Sequence, residues 1–157
     1  MRPFLRIPIA LLVPLFSLGC GDGVATANGE CDASGQPEVC EVFRLVNEAR
    51  ADAGVAPLSW DADLAMAAQR HAEDMVAQNY FSHDSLDGRT FMDRVRAQNY
   101  AGAPTGENIA RGQQTPAAVM DSWMNSTGHR NNLLSERSTD IGVGLDGRTW
   151  VQVFGRK

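Results

Sequence analysis

Long apolar runs are scarce in this 157-residue chain. The one sustained run, Ile7 to Leu18, carries Pro8 and Pro14. It falls short of the about 20 apolar residues that a membrane-crossing helix needs, and the prolines disfavour such a helix. Basic charge is also in deficit: 14 Lys and Arg stand against 19 Asp and Glu. Nowhere does a basic run interleave with aromatics. Nucleic acid draws much of its affinity from cations that neutralise phosphates, so it is not expected as a partner. An anionic membrane surface would likewise gain little from charge alone. Neither an internal repeat nor a low-complexity tract is present. A nucleophile elbow is missing too, which leaves a serine hydrolase without its usual local signature.

Cysteine is rare, and its three positions divide the chain. Met1 to Gly19 begins with Arg2 and Arg6, continues through the apolar run and ends on a small residue. This is the order of a secretory signal, so residues 1–19 are expected to be removed on export. Ser17-Leu18-Gly19-Cys20 resembles a lipobox, which would make Cys20 a lipidated anchor to the membrane. Ordinary cleavage is the alternative, and Ser17 departs from the aliphatic residue favoured there. Residues 20–37 read as a Gly/Ala-rich tether containing Cys31. Without residues 1–19 the chain would hold twelve basic and nineteen acidic side chains. With Cys20 lipidated, Cys31 and Cys40 remain as an even pair in an oxidising compartment, and a disulfide is expected. Their nine-residue spacing fits no zinc ribbon or finger.

Residues 38–157 carry the domain. Val39, Val42, Phe43, Val46 and Ala49 recur at helical spacing, with Gly54 as a stop. Asp61 stands as the N-cap of a second helix whose inner stripe is Leu64, Ala68, His71 and Met75. Thr90 and Asp93 are spaced as a capping pair for a short third helix through Gln98. Residues 101–114 are Gly-rich and are expected to be mostly irregular. Thr115-Pro116 starts a helix with Val119, Met120 and Trp123 inward. After a break at Ser126-Thr127-Gly128, a short segment runs to Leu134. Ile141, Val143 and Leu145 alternate, Asp146-Gly147 makes a tight turn, and Trp150 to Phe154 returns as a strand. Helices followed by a hairpin give an α+β class.

Seven phrases in register resemble one family. They are Leu45-Val46-Asn47-Glu48-Ala49-Arg50; Pro57-Leu58-Ser59-Trp60; the stretch from Ala68 to Met75; Tyr80-Phe81-Ser82-His83; Gly106-Glu107-Asn108-Ile109-Ala110; the stretch from Trp123 to Arg130; and Ile141-Gly142-Val143-Gly144. Together they look like a CAP domain, the SCP-like superfamily of cysteine-rich secretory proteins, venom antigens and plant pathogenesis-related proteins. The resemblance implies a three-layer α-β-α sandwich around a small antiparallel sheet, with a cleft on one side. Two histidines and two glutamates line that cleft in many members, and some bind zinc there. Carried over by position, the histidines fall on His83 and His129 and the first glutamate on Glu107. The second glutamate falls on Ser126, a departure from the tetrad.

His83, Glu107 and His129 make a zinc set with an open position for water, if the fold brings them together. His71 belongs to the apolar stripe, as a hydrogen-bonded core residue or a member of the cleft wall. Ser126 is expected to cap the segment that holds His129 rather than to act as a nucleophile. What the resemblance implies is a secreted or envelope-anchored, monomeric binding module for a lipid-like or envelope ligand. A metal-dependent hydrolase with Glu107 as general base is the alternative.

Overall fold

A computed structural model describes Cys31 and residues 35–157. The expected signal at 1–19, the anchor at Cys20 and most of the tether lie outside the described residues. Cys31 and Cys40 form a disulfide, with Cα atoms 5.6 Å apart.

Helix α1 spans Pro37–Asp52. Its proline sits in the first turn, where a missing N–H costs nothing. A short strand β1, Ser59–Trp60, leads to α2, Ala62–Ala77. As expected, the Asp61 carboxylate caps α2 by accepting from the Leu64 N–H at 2.9 Å. Helix α3, Phe91–Arg96, opens with a reciprocal capping box between Thr90 and Asp93 and ends two residues before Gln98. Strand β2 follows at Ala103–Arg111, then α4 at Pro116–Met124 and α5 at Thr127–Leu133. The chain closes on the expected hairpin, β3 at Asp140–Asp146 and β4 at Thr149–Arg156, around the left-handed Gly147.

The four strands lie in the order β1-β3-β4-β2. β4 pairs antiparallel with both β3 and β2, and the two-residue β1 adds a parallel pair with β3. The sheet is thus antiparallel except at that edge. Strand alternation divides the core in two. Ile141, Val143, Trp150 and Phe154 face α1 and α4, where they meet Val42, Val46, Val119 and Trp123. Val151, Val153 and Ile109 face α2, against Leu64, Ala68, Ala72 and Met75. Helices therefore cover both faces of the sheet, the three layers that the resemblance implied. Gly142 and Gly144 let α2 approach. A Cβ at either would overlap helix backbone, at Leu64–Ala65 and at Ala68–Gln69 respectively.

Residues 101–114 depart from expectation. Nine of them form β2, paired with β4 from Ala103↔Arg156 to Arg111↔Thr149. The register slips between Pro104 and Gly106, the kind of irregularity that lets an edge strand hold a proline. Gly and Pro hide the alternation of this strand, and its pairing partners lie 38 to 53 residues downstream. This strand carries Glu107.

Candidate functional site

The site is built from the loop after α2, from α3, from β2 and from α5. Its centre is Glu107, whose side chain is 1% exposed. A carboxylate so deeply buried needs compensating partners. One oxygen takes a 2.6 Å bond from the Arg94 guanidinium, itself 5% exposed. The other takes a 2.8 Å bond from His83 Nδ1. The capping box fixes α3, so Arg94 enters from a rigid turn. From there a second guanidinium nitrogen donates to the Ser85 hydroxyl and the Arg89 carbonyl, each at 3.2 Å. Arg94 thereby ties the loop that bears His83 to the strand that bears Glu107.

Two further contacts position the histidines. His71 is fully buried on α2, as its place on the apolar stripe implied. Its Nε2–H donates to the Ser82 carbonyl at 2.9 Å, one residue before His83. On the other side, Asn108 is fully buried and donates to the His129 carbonyl at 3.1 Å. Asn132 of α5 donates to the Glu107 carbonyl at 3.1 Å and to Asn108 Oδ1 at 2.9 Å. These amides clamp α5 to β2 and so place His129 beside the Glu107 strand.

Electrostatics distinguish the three histidines. The Glu107 hydrogen bond raises the His83 pKa, against partial desolvation. Desolvation lowers that of His129, with the neighbouring charge of His83 acting in the same direction. The two rings therefore feel one another. Desolvation also lowers the His71 pKa, followed by the Arg94 charge, which keeps its ring neutral. The Nδ1 of His71 is buried without a hydrogen-bond partner among the described residues.

The sequence-derived residues thus occupy distinct roles. His83 and Glu107 are joined directly, and the Asn108 amide holds the His129 carbonyl against the strand that bears Glu107. His71 supports the loop from beneath. Ser126 holds the N-cap position of α5, but its side chain makes no capping hydrogen bond. Only its carbonyl takes part, accepting from the Arg130 N–H at 2.8 Å. Arg94, Asn108 and Asn132 went unassigned in the sequence. Nothing local marks Arg94 as the partner of a carboxylate thirteen residues on.

The zinc set does not fit as a three-ligand shell. Among the described residues, no three His, Cys, Asp or Glu side chains gather to hold a metal ion. Both oxygens of Glu107 are engaged, one by a guanidinium whose charge opposes a second cation.

A cavity lies elsewhere, at the β1 edge of the sheet. It measures about 570 Å³, and its walls include Val39, Trp60, Ala65, Met66 and Val143. None of the five sequence-derived cleft residues lines it.

Comparison with known proteins agrees with this architecture. The model of the cysteine-rich secretory protein family, CAP, matches residues 43–154. An uncharacterized protein of Bacillus subtilis (strain 168), YkwD, is 40% identical over 116 residues, covering 73% of this chain and 45% of that protein. The crystal structure of an extracellular protein containing an SCP domain from Bacillus anthracis superposes with a TM-score of 0.76 at 38% identity. That match covers 78% of this chain and 41% of the other. An outer surface protein of Borrelia burgdorferi shares the fold, with a TM-score of 0.71 at 23% identity over 78% of this chain and 94% of that one. The chain thus spans less than half the length of these two Bacillus proteins. By its family match, its fold and its relatives, the chain belongs to the cysteine-rich secretory protein (CAP) family.

Proposed function

We propose that this CAP domain is a non-enzymatic binding module that works outside the cell or at its envelope, anchored through Cys20 when that residue is lipidated. Its cleft receives the polar group of a lipid-like or other envelope ligand at His83 and His129. The observation that carries this reading is the pairing of buried Glu107 with Arg94 on one oxygen and His83 on the other. A general base must be within reach of the proton it takes and free to accept it. Glu107 is buried, and both its oxygens are in use. What the arrangement offers a ligand is a fixed donor–acceptor surface. His83, half exposed, turns its Nε2 away from Glu107 and outward.

Apolar surface near this edge suits an amphipathic ligand. Phe81 is 46% exposed two residues before His83, and the Arg111 guanidinium lies 5.0 Å from the centre of its ring. Leu86, on the same loop, is 63% exposed. An acyl or isoprenoid chain laid against these side chains would leave its polar end at the imidazoles.

A fluorescent long-chain fatty acid, measured alongside ester, peptide and glycan hydrolysis, tests the reading. Saturable binding that weakens in His83→Ala, with no turnover, is the expected result. Hydrolysis that is lost in Glu107→Gln while the fold persists would replace the binding module with the hydrolase.

A further inference from the structure

The outer edge of β3 is only partly covered. The strand runs from Asp140 to Asp146, but β1 pairs with it at Asp140 and Ile141 alone. After Asp61 the chain turns into α2 and leaves the edge. In an antiparallel strand, alternate residues turn both backbone groups to the same side. On the side away from β4, the Ile141 carbonyl accepts from the Asp61 N–H at 2.9 Å. Four residues on, the Leu145 N–H donates to Gln69 Oε1 at 2.9 Å. The Leu145 carbonyl accepts from the side-chain amides of Gln36 and Gln69, each at 3.1 Å. Val143 lies midway between them, so its N–H and C=O point to this edge too. Neither group has a partner there among the described residues.

Val143 is 2% exposed and lines the cavity of about 570 Å³ at this edge. A buried N–H and C=O left without partners is costly, so the pair calls for an occupant that supplies both. The volume lies within the range of about 300–1,000 Å³ typical of ligand sites. Trp60 and Met66 give the walls apolar surface, and Met66 is 46% exposed. The charged side chain of the lining is Glu73, on the exposed face of α2. An acyl chain would cover the apolar walls and leave the Val143 pair unmet. A peptide backbone meets it, since each residue carries one donor and one acceptor at strand spacing.

We propose that this slot binds an extended peptide segment of a partner protein, laid along the track that β1 vacates. One peptide residue, running antiparallel to β3, exchanges two hydrogen bonds with Val143. Its N–H donates to the Val143 carbonyl, and its C=O accepts from the Val143 N–H. Apolar side chains of the peptide pack on Trp60 and Met66, and a lysine or arginine meets Glu73. Gln36 and Gln69, by closing the edge at Leu145, confine the pairing to this short stretch and keep the edge from templating a longer sheet. The site shares no residue with the cleft and stands or falls separately from the ligand proposed there.

Titration of the isotope-labelled protein with the peptide acetyl-Ala-Val-Lys-Val-Ala-amide, followed by NMR and amide hydrogen exchange, tests the site. Saturating shifts centred on Val143, Met66 and Gln69 are expected, with exchange of the Val143 amide slowed at least about tenfold, as for a net hydrogen bond. The same peptide N-methylated at every residue keeps its side chains but cannot pair, and should bind about thirtyfold more weakly, the worth of two such bonds. Ala65→Gln, which fills the slot with a residue that suits a helix, should abolish binding. Glu73→Lys, an exposed change that spares the core, should weaken binding about threefold, as for a surface ion pair. Equal binding of the N-methylated peptide, absence of a saturating shift at Val143, or unchanged affinity in both variants would overturn the site. A Val143 amide already protected without peptide would overturn it as well, because the chain's own residues would then cover the edge.

Discussion

Replacing Arg94 with methionine should do more damage than any other single change in the cleft. The substitution keeps a long stem but removes the guanidinium, and Glu107 remains 1% exposed with one oxygen unpartnered. Breaking a buried ion pair from one side costs about 3–5 kcal/mol, because the remaining charge is neither solvated nor paired. The lost bonds to Ser85 and the Arg89 carbonyl also release the loop that carries His83. Domains of this size have about 5–15 kcal/mol of stability in total, so the melting temperature should fall by roughly 10–20 °C. Urea unfolding followed by circular dichroism measures the loss. The double variant Arg94→Met with Glu107→Leu separates pair from packing. With both charges gone, most of the loss should be recovered, since an apolar pair of similar volume often matches a buried ion pair. A single-variant loss below about 1 kcal/mol, or a double variant no better than the sum of the singles, would refute the pairing argument.

Gly144→Ala should destabilise by about 1–3 kcal/mol, since the added methyl meets α2 backbone rather than a movable side chain; chemical denaturation would show it. Reducing Cys31–Cys40 should cost about 2–3 kcal/mol for so short a loop, read as a lower melting temperature in the presence of a thiol reductant. The pKa of His71 is lowered in the folded protein, so the unfolded chain binds its proton first. That contribution to stability is complete above the ordinary histidine value of about 6.5 and is lost as the pH falls towards the folded value. His71→Gln should flatten this part of the stability–pH profile, measured by denaturation from pH 7 down to 5.

Much of the scaffold was legible from local pattern. The stripes of α1 and α2, the Asp61 cap, the Thr90–Asp93 box and the closing hairpin each announce themselves within a few residues, and each formed. The inward stripe also placed His71 correctly. β2 did not announce itself, because Gly and Pro break the alternation by which a strand is recognised, and its order comes from pairing with β4. Ser126 illustrates the opposite limit. Its type and position suit a cap, yet its side chain makes no capping bond. The contact between His83 and Glu107 was legible only through resemblance, since the two lie 24 residues apart with no local rule joining them. Arg94 escaped even that route. Its role depends on a carboxylate buried by the fold, and an arginine on a short helix otherwise reads as surface charge.

Glu107 holds the Nδ1 proton of His83 while Arg94 holds Glu107 in place. Nitrogen-detected NMR of the histidine rings across pH, in the wild type and in Glu107→Gln, addresses that arrangement directly. His83 should carry its neutral-state proton on Nδ1 and titrate above the ordinary histidine value in the wild type, with the midpoint falling in Glu107→Gln. A His83 ring protonated at Nε2, or a midpoint that Glu107→Gln leaves unchanged, would contradict it.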